Sequence, residues 1–386
     1  MNMNNKNWVS VWGNAVSIAE HHPEAYAKYI TLRYPVYIPF AGDTLRFTFD
    51  NYCGSEAVTV TRATVSAATS PVYEKMPLAC PCKKETICDI TFSKNESVTM
   101  EAHQTAVSDP VSFPVKKGMT LTVSLYFADF TLMQSAVLVT GPLSKGFFSL
   151  GDQTHADALP MDTTKTTNWF YFLSNIELMT AEENHTVICY GDSITAGAWP
   201  DYLTLLARQN PDNHTAFIRR ATSGSRVLRQ YECITYDSYG LKGTNRFPHE
   251  IPTTGADTVI IQQGINDIIH PIGIETNPFR PMSDLPTAKE LIDGYRYYIE
   301  EAKKLHLKVN MGTLLPIFGW RTYATFRDDL RNELNAWIRS AKEIDGCIDF
   351  DLALRGSENP SAFREGFDSG DHLHPSSKAY QAMAEC

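Results

Sequence analysis

The stretch Thr186-Val187-Ile188-Cys189-Tyr190-Gly191-Asp192-Ser193-Ile194-Thr195 constrains this chain most. Its unbroken apolar and aromatic run, Val187 to Tyr190, reads as a parallel strand buried on both faces. Gly191 then turns the backbone, and Ser193 follows at the carboxyl end of the strand. In an open α/β sheet that edge is where ligands bind. A serine there begins a helix, with backbone N–H groups free to face an anion. Taken alone, Gly-Asp-Ser is better read as an ordinary helix N-cap. A histidine, an acid and further N–H donors at other strand ends decide between the two.

The chain after Thr186 alternates strands with helices, the pattern of an α/β domain with a parallel sheet. Weak strand Ala216–Ile218, then Val259–Ile261, Lys308–Leu314 and Cys347–Phe350 supply the further strands. Asp201–Gln209, Thr287–His306 and Phe326–Lys342 carry apolar residues at helical spacing, and a last helix follows Pro375. Before Glu182 the period is two. Leu45, Phe47 and Phe49 alternate with Thr44, Arg46 and Thr48, and Leu121, Val123 and Leu125 with Thr122, Ser124 and Tyr126. Short half-buried strands separated by turn signals predict an antiparallel, jelly-roll-like β sandwich. The polar segment Ala181–His185 marks the boundary, giving a β domain over 1–182 and an α/β domain over 183–386.

A length of 386 residues suits two domains. The net charge of −10, with no basic block to offset it, excludes nucleic acid and anionic membranes as partners. No stretch approaches the roughly 20 apolar residues of a membrane span. The polar start, Met1 to Asn7, has no apolar signal core, so the expected location is cytoplasmic. Of the eight cysteines, Cys189 and Cys347 read as small core residues, and Cys53, Cys233 and Cys386 are scattered. Cys80, Cys82 and Cys88 cluster without a nearby histidine, so they read as loop thiols and no metal or cofactor is expected.

Four motifs fall at or just beyond strand ends: Gly191-Asp192-Ser193, Ser223-Gly224, Gly264-Ile265-Asn266-Asp267 and Asp371-His372-Leu373-His374-Pro375. Parallel strands bring such distant segments to one edge. In kind, order and approximate spacing the four blocks resemble the SGNH (GDSL) hydrolase superfamily. More narrowly, the chain looks like the acetylxylan-esterase-like branch that carries a β domain ahead of the hydrolase. Thr31-Leu32-Arg33 leading into Thr44–Asn51, Gln263–Asp267 and Asp368–Pro375 carry that narrower likeness. The resemblance implies a flavodoxin-like parallel sheet flanked by helices and a serine esterase acting on an acylated, most simply O-acetylated, oligosaccharide.

The resemblance also implies roles. Ser193 is the nucleophile, His374 its base and Asp371 the acid that orients the imidazole. The Ser193 and Gly224 N–H groups and the Asn266 amide form the oxyanion hole, glycine letting the backbone approach a ligand. His372 is the rival base, but the family spacing Asp-x-x-His selects His374. Asp192 holds the loop. Block two departs from the family, with Arg219 and Ala221 where related enzymes have Asn and Gly.

For substrate binding, Trp199 and Trp320 are candidate sugar-stacking surfaces and Arg226 a candidate ligand for hydroxyls; loop packing and an ion pair are the competing readings. Two functional alternatives stay open: a lipase or thioesterase-like hydrolase of other esters, and a drifted carbohydrate-binding protein. For the β domain a structural or dimer-forming role, giving a homo-oligomer, is favoured over glycan binding.

Overall fold

The computed structural model describes residues 6–19, 26–231, 237–272 and 280–386. Cys233 and the start of the chain, Met1 to Asn5, lie outside them. The chain divides into two compact units, Met1–Thr186 with Ala207–Ile218, and Val187–Leu206 with Arg219–Cys386.

The first unit is antiparallel β. One sheet orders Lys6–Gly13, Leu173–Ala181, Gly42–Asp50 and Thr105–Val107, with Val111–Val115 also paired to Gly42–Asp50. A six-stranded sheet orders Lys165–Thr167, Gly146–Leu150, Ile30–Tyr37, Thr120–Phe127, Arg62–Ala67 and Cys88–Ile90. The alternation in Gly42–Asp50 holds: Leu45, Phe47 and Phe49 are all fully buried.

Thr120–Phe127 departs from expectation. It is buried along its whole length, polar residues included, because it is an interior strand paired on both sides. Its polar face is satisfied internally, with Thr122 Oγ1 2.5 Å from Ser66 Oγ and Ser124 Oγ accepting from Arg33 Nε at 2.9 Å. Arg33 is itself fully buried, and its Nη2 donates to the carbonyls of Gln153 and Ala156 at 2.7 and 2.8 Å. Cys80 packs with Met76, Phe147 and Leu159 rather than lying in an open loop, and burial pushes its thiol up to about 12. Cys347 is corrected the other way: it is exposed, in the short strand Gly346–Ile348.

A five-stranded sheet has strands that we number β1 (His185–Gly191), β2 (Thr215–Ala221), β3 (Ala256–Gln262), β4 (Lys308–Gly312) and β5 (Gly346–Ile348). The order is β2-β1-β3-β4-β5, and β3-β4 and β4-β5 pair in parallel. The order reverses between β1 and β3, which makes the carboxyl ends of those two strands the natural crevice for a ligand.

The helices are α1 (Ser193–Ala196), α2 (Trp199–Arg208), α3 (Gly243–Glu250), α4 (Ile265–Ile269), α5 (Ala288–Lys304), α6 (Thr325–Ser340), α7 (Phe350–Leu354) and α8 (Ser377–Ala384). Helix α5 starts with a full capping box between Thr287 and Glu290 and buries Leu291, Tyr295, Tyr298 and Ala302. Helix α8 begins two residues later than Pro375 suggests, because Ser376 supplies the N-cap and accepts from the Ala379 N–H. Among the described residues no helix is long and apolar enough to cross a membrane.

Candidate active site

Ser193 is the first residue of α1, directly after β1. The cap is Asp192, whose Oδ1 accepts the Ile194 N–H at 3.1 Å. Asp192 is fully buried, and its Oδ2 has no hydrogen-bond partner among the described residues. Burial, with the nearby Asp267 carboxylate adding to it against the Ile194 N–H and Arg246, pushes its carboxyl up to about 7.

His374 reaches Ser193 across 181 residues of sequence: its Nε2 lies 2.9 Å from Ser193 Oγ. Its Nδ1 lies 2.6 Å from Asp371 Oδ2, so the proton on that nitrogen points at the carboxylate and Nε2 is left to accept. Asp371 Oδ1 also accepts the backbone N–H groups of Leu373 and His374, at 3.0 and 2.8 Å. Burial works to raise the Asp371 carboxyl, but these hydrogen bonds outweigh it and hold it at about 2. The segment is pinned at its base, where Asp368 pairs with Pro375 and the Ser369 N–H donates to the His374 carbonyl at 3.0 Å.

Gly224 has φ +77, and a Cβ there would lie 2.2 Å from the Tyr239 ring. Glycine is thus required by a packed tyrosine as well as by the backbone conformation, and not by ligand approach alone. Tyr239 stacks on His270 at 5.1 Å. Burial and the charges of Arg226, Arg280 and Arg321 hold the His270 imidazole well below its usual range, hence neutral.

Asn266, in α4 after β3, is buried, and its Nδ2 donates to the Ser225 carbonyl at 3.1 Å. Asp267 accepts the N–H groups of Val227 and Leu228 at 2.8 and 3.0 Å. Ser225 Oγ in turn accepts from Gln263 Nε2 and Arg246 Nη1, both at 2.9 Å, and Arg246 is gripped by Glu250 through two bonds. The loop holding Gly224 is therefore fastened from several directions by buried groups. Gln263, Asp267, Arg246 and Glu250 are functional supports that sequence reasoning missed. Only Gln263 and Asp267 left a trace there, as flanks of Gly264-Ile265-Asn266.

Two substrate-binding expectations are corrected. Trp199 is 1% exposed, inside α2, with its indole N–H donating to Thr195 Oγ1 at 3.3 Å and its ring 5.7 Å from Phe350; no sugar face reaches it. Arg226 is buried, pairs with Asp284 at 3.1 Å and lies 4.3 Å over the Tyr231 ring, so it is held in a structural ion pair. Trp320 is only partly buried in the loop after β4; the Arg321 guanidinium lies over its ring at 4.7 Å, and its N–H has no partner among the described residues. At block two, Arg219 lies within β2 and pairs with Asp201 at 2.7 Å, so the departure from the family there is absorbed into packing. Among the described residues no three His, Cys, Asp or Glu side chains come together to hold a metal.

Fold and site together define a class: an α/β protein with serine, imidazole and carboxylate in line at the switch point of a parallel sheet. The chain belongs to the GDSL-like lipase/acylhydrolase family, whose model matches residues 189–382. Among curated proteins none matches the chain. Among solved structures the chain is similar to a GDSL-like lipase from Bacteroides thetaiotaomicron, at 20% identity over 53% of this chain and 85% of that one, with a TM-score of 0.38. It is similar to a member of the lipolytic G-D-S-L family from Veillonella parvula, at 17% identity over 52% and 94%, TM-score 0.35. It is also similar to a catalytic mutant of an acetylxylan esterase from Geobacillus stearothermophilus, at 16% identity over 52% and 91%, TM-score 0.38.

Proposed function

We propose that this protein is a serine esterase that removes O-acyl groups, O-acetyl above all, from carbohydrates, with residues 183–386 as the catalytic part and 1–182 as an accessory β domain. The observation that carries the reading is the unbroken line from Asp371 Oδ2 through the His374 ring to Ser193 Oγ, at 2.6 and 2.9 Å.

In this reading Ser193 Oγ attacks the ester carbonyl while His374 Nε2 takes the hydroxyl proton. Asp371 stays ionised and stabilises the imidazolium. The negative charge on the carbonyl oxygen is met by the Ser193 and Gly224 N–H groups and by the second hydrogen of the Asn266 amide, the first being spent on Ser225. Collapse expels the alkoxide, which His374 protonates, and leaves an acyl group on Ser193. Water, giving a proton to His374, then attacks the acyl carbonyl; the bond to Ser193 Oγ breaks, His374 returns the proton to that oxygen, and the free carboxylic acid leaves. Trp320, partly buried in the loop after β4, would serve as the sugar platform.

A fluorophosphonate probe tests the reading. Labelling of the wild type, its loss in Ser193→Ala, and acetate release from acetylated xylo-oligosaccharides are the expected results. No labelling supports the drifted binding protein instead. Labelling with turnover of long-chain esters and no acetate release supports the lipase reading.

A further inference from the structure

Two residues before His374 stands a second histidine–carboxylate couple that the reaction above does not use. His372 adopts φ +66, a conformation L side chains rarely take, and such strain persists only where surrounding bonds enforce it. Asp368 enforces it. Its Oδ1 accepts the N–H groups of Gly370 and His372 at 2.8 and 2.9 Å, and its Oδ2 lies 2.5 Å from His372 Nδ1. The ring also rests against Gly319, where a Cβ would come within 2.8 Å of it. Gly319, at φ +93, belongs to the loop after β4 that carries Trp320, and Thr322 Oγ1 ties that loop to the last carbonyl of α4 at 2.9 Å. His372 thus stands on the rim of the catalytic edge, between His374 and the Trp320 loop.

The chemistry of the couple fixes what it recognises. With the Nδ1 hydrogen donated to Asp368 Oδ2, the His372 ring offers Nε2 as a hydrogen-bond acceptor. Its side chain is 51% exposed, and among the described residues nothing bonds to Nε2. Two residues span at most about 7 Å of backbone, which places the His372 backbone beside that of the base.

We propose that His372 is a specificity residue that accepts a hydrogen bond from a free hydroxyl next to the ester oxygen, selecting esters of polyols and sugars over esters of simple alcohols. This rests on the serine-esterase reading and names its substrate class from this chain's own residues. The test compares an acetylated methyl xyloside bearing a free hydroxyl on the carbon beside the ester with the same compound lacking that hydroxyl. The wild type is expected to favour the first by about 3- to 10-fold in kcat/KM, the worth of one partly exposed hydrogen bond.

His372→Asn, which tolerates the left-handed backbone but is too short to reach, is expected to erase the preference. His372→Gln, whose amide oxygen can still accept, is expected to restore part of it, which a merely structural role would not do. Equal rates on the two substrates in the wild type, or a preference that survives in His372→Asn, overturn the proposal. Turnover of p-nitrophenyl acetate separates the failures. If the wild type hydrolyses that ester but shows no hydroxyl preference, only this inference falls; if it hydrolyses no ester, both readings fall.

Discussion

A buried carboxyl beside the nucleophile has a measurable consequence. Asp192 keeps its proton to about pH 7 in the folded chain, against about 4 for a free aspartate. Between those values the unfolded chain has released a proton that the folded one still holds, so this residue lowers stability as pH rises from about 4 to 7. The full penalty is on the order of 4 kcal/mol above pH 7. Asp192→Asn keeps an oxygen for the Ile194 N–H and removes the charge. Its melting temperature is expected to exceed the wild type's clearly at pH 8 and hardly at pH 5; an equal gain at both would show that the side chain is not protonated.

At this scale, residue type at a motif position was legible in the sequence, whereas exposure was not. The family spacing Asp-x-x-His pointed to His374 rather than His372, and it is His374 whose ring lies between Asp371 Oδ2 and Ser193 Oγ. Trp199 and Arg226 were misread because a side chain beside a motif points inward or outward according to neighbours that lie far along the chain.

Among the elements, the loop around Gly224 depends on one side chain more than on its own sequence. Asp267 caps two buried N–H groups of that loop, while Asn266, one residue earlier, holds the Ser225 carbonyl. Asp267→Ala orphans both N–H groups, and removing a single oxyanion donor typically costs 10²–10³ in rate. We expect kcat on p-nitrophenyl acetate to fall about 100-fold with KM little changed, measured well below the variant's melting temperature. A rise in KM at constant kcat would place Asp267 outside the positioning of the loop. Helices with strong periodicity, such as Ala288–Lys304 with its capping box, were plain from the sequence. Thr120–Phe127 was half legible: its apolar face showed, but partners for Thr122 and Ser124 come from Ser66 and Arg33, which no local pattern reveals. Helix α3, carrying Arg246 and Glu250, is only 8 residues long with Pro248 inside it, too short for its spacing to stand out in the sequence.

For the molecule as a whole, the proposed sugar-ester reading makes the net charge of −10 bear on substrate choice at long range. Acidic polysaccharides are repelled before they reach the site, and the screening length shrinks from about 30 Å at 0.01 M salt to about 8 Å at 0.15 M. Acetate release from acetylated pectin is therefore expected to gain on release from acetylated neutral xylo-oligosaccharides as salt is raised; a ratio independent of salt would remove bulk charge from the account. The separation of the line-forming residues has another consequence. Ser193 and His374 meet across 181 positions, and strands β2 to β5 all lie in the intervening chain. Contacts so distant are made late in folding, since loop closure costs entropy before it is repaid. During refolding, helical and strand signals recover first, and the ability to cleave an ester returns only with the final docking of the rim.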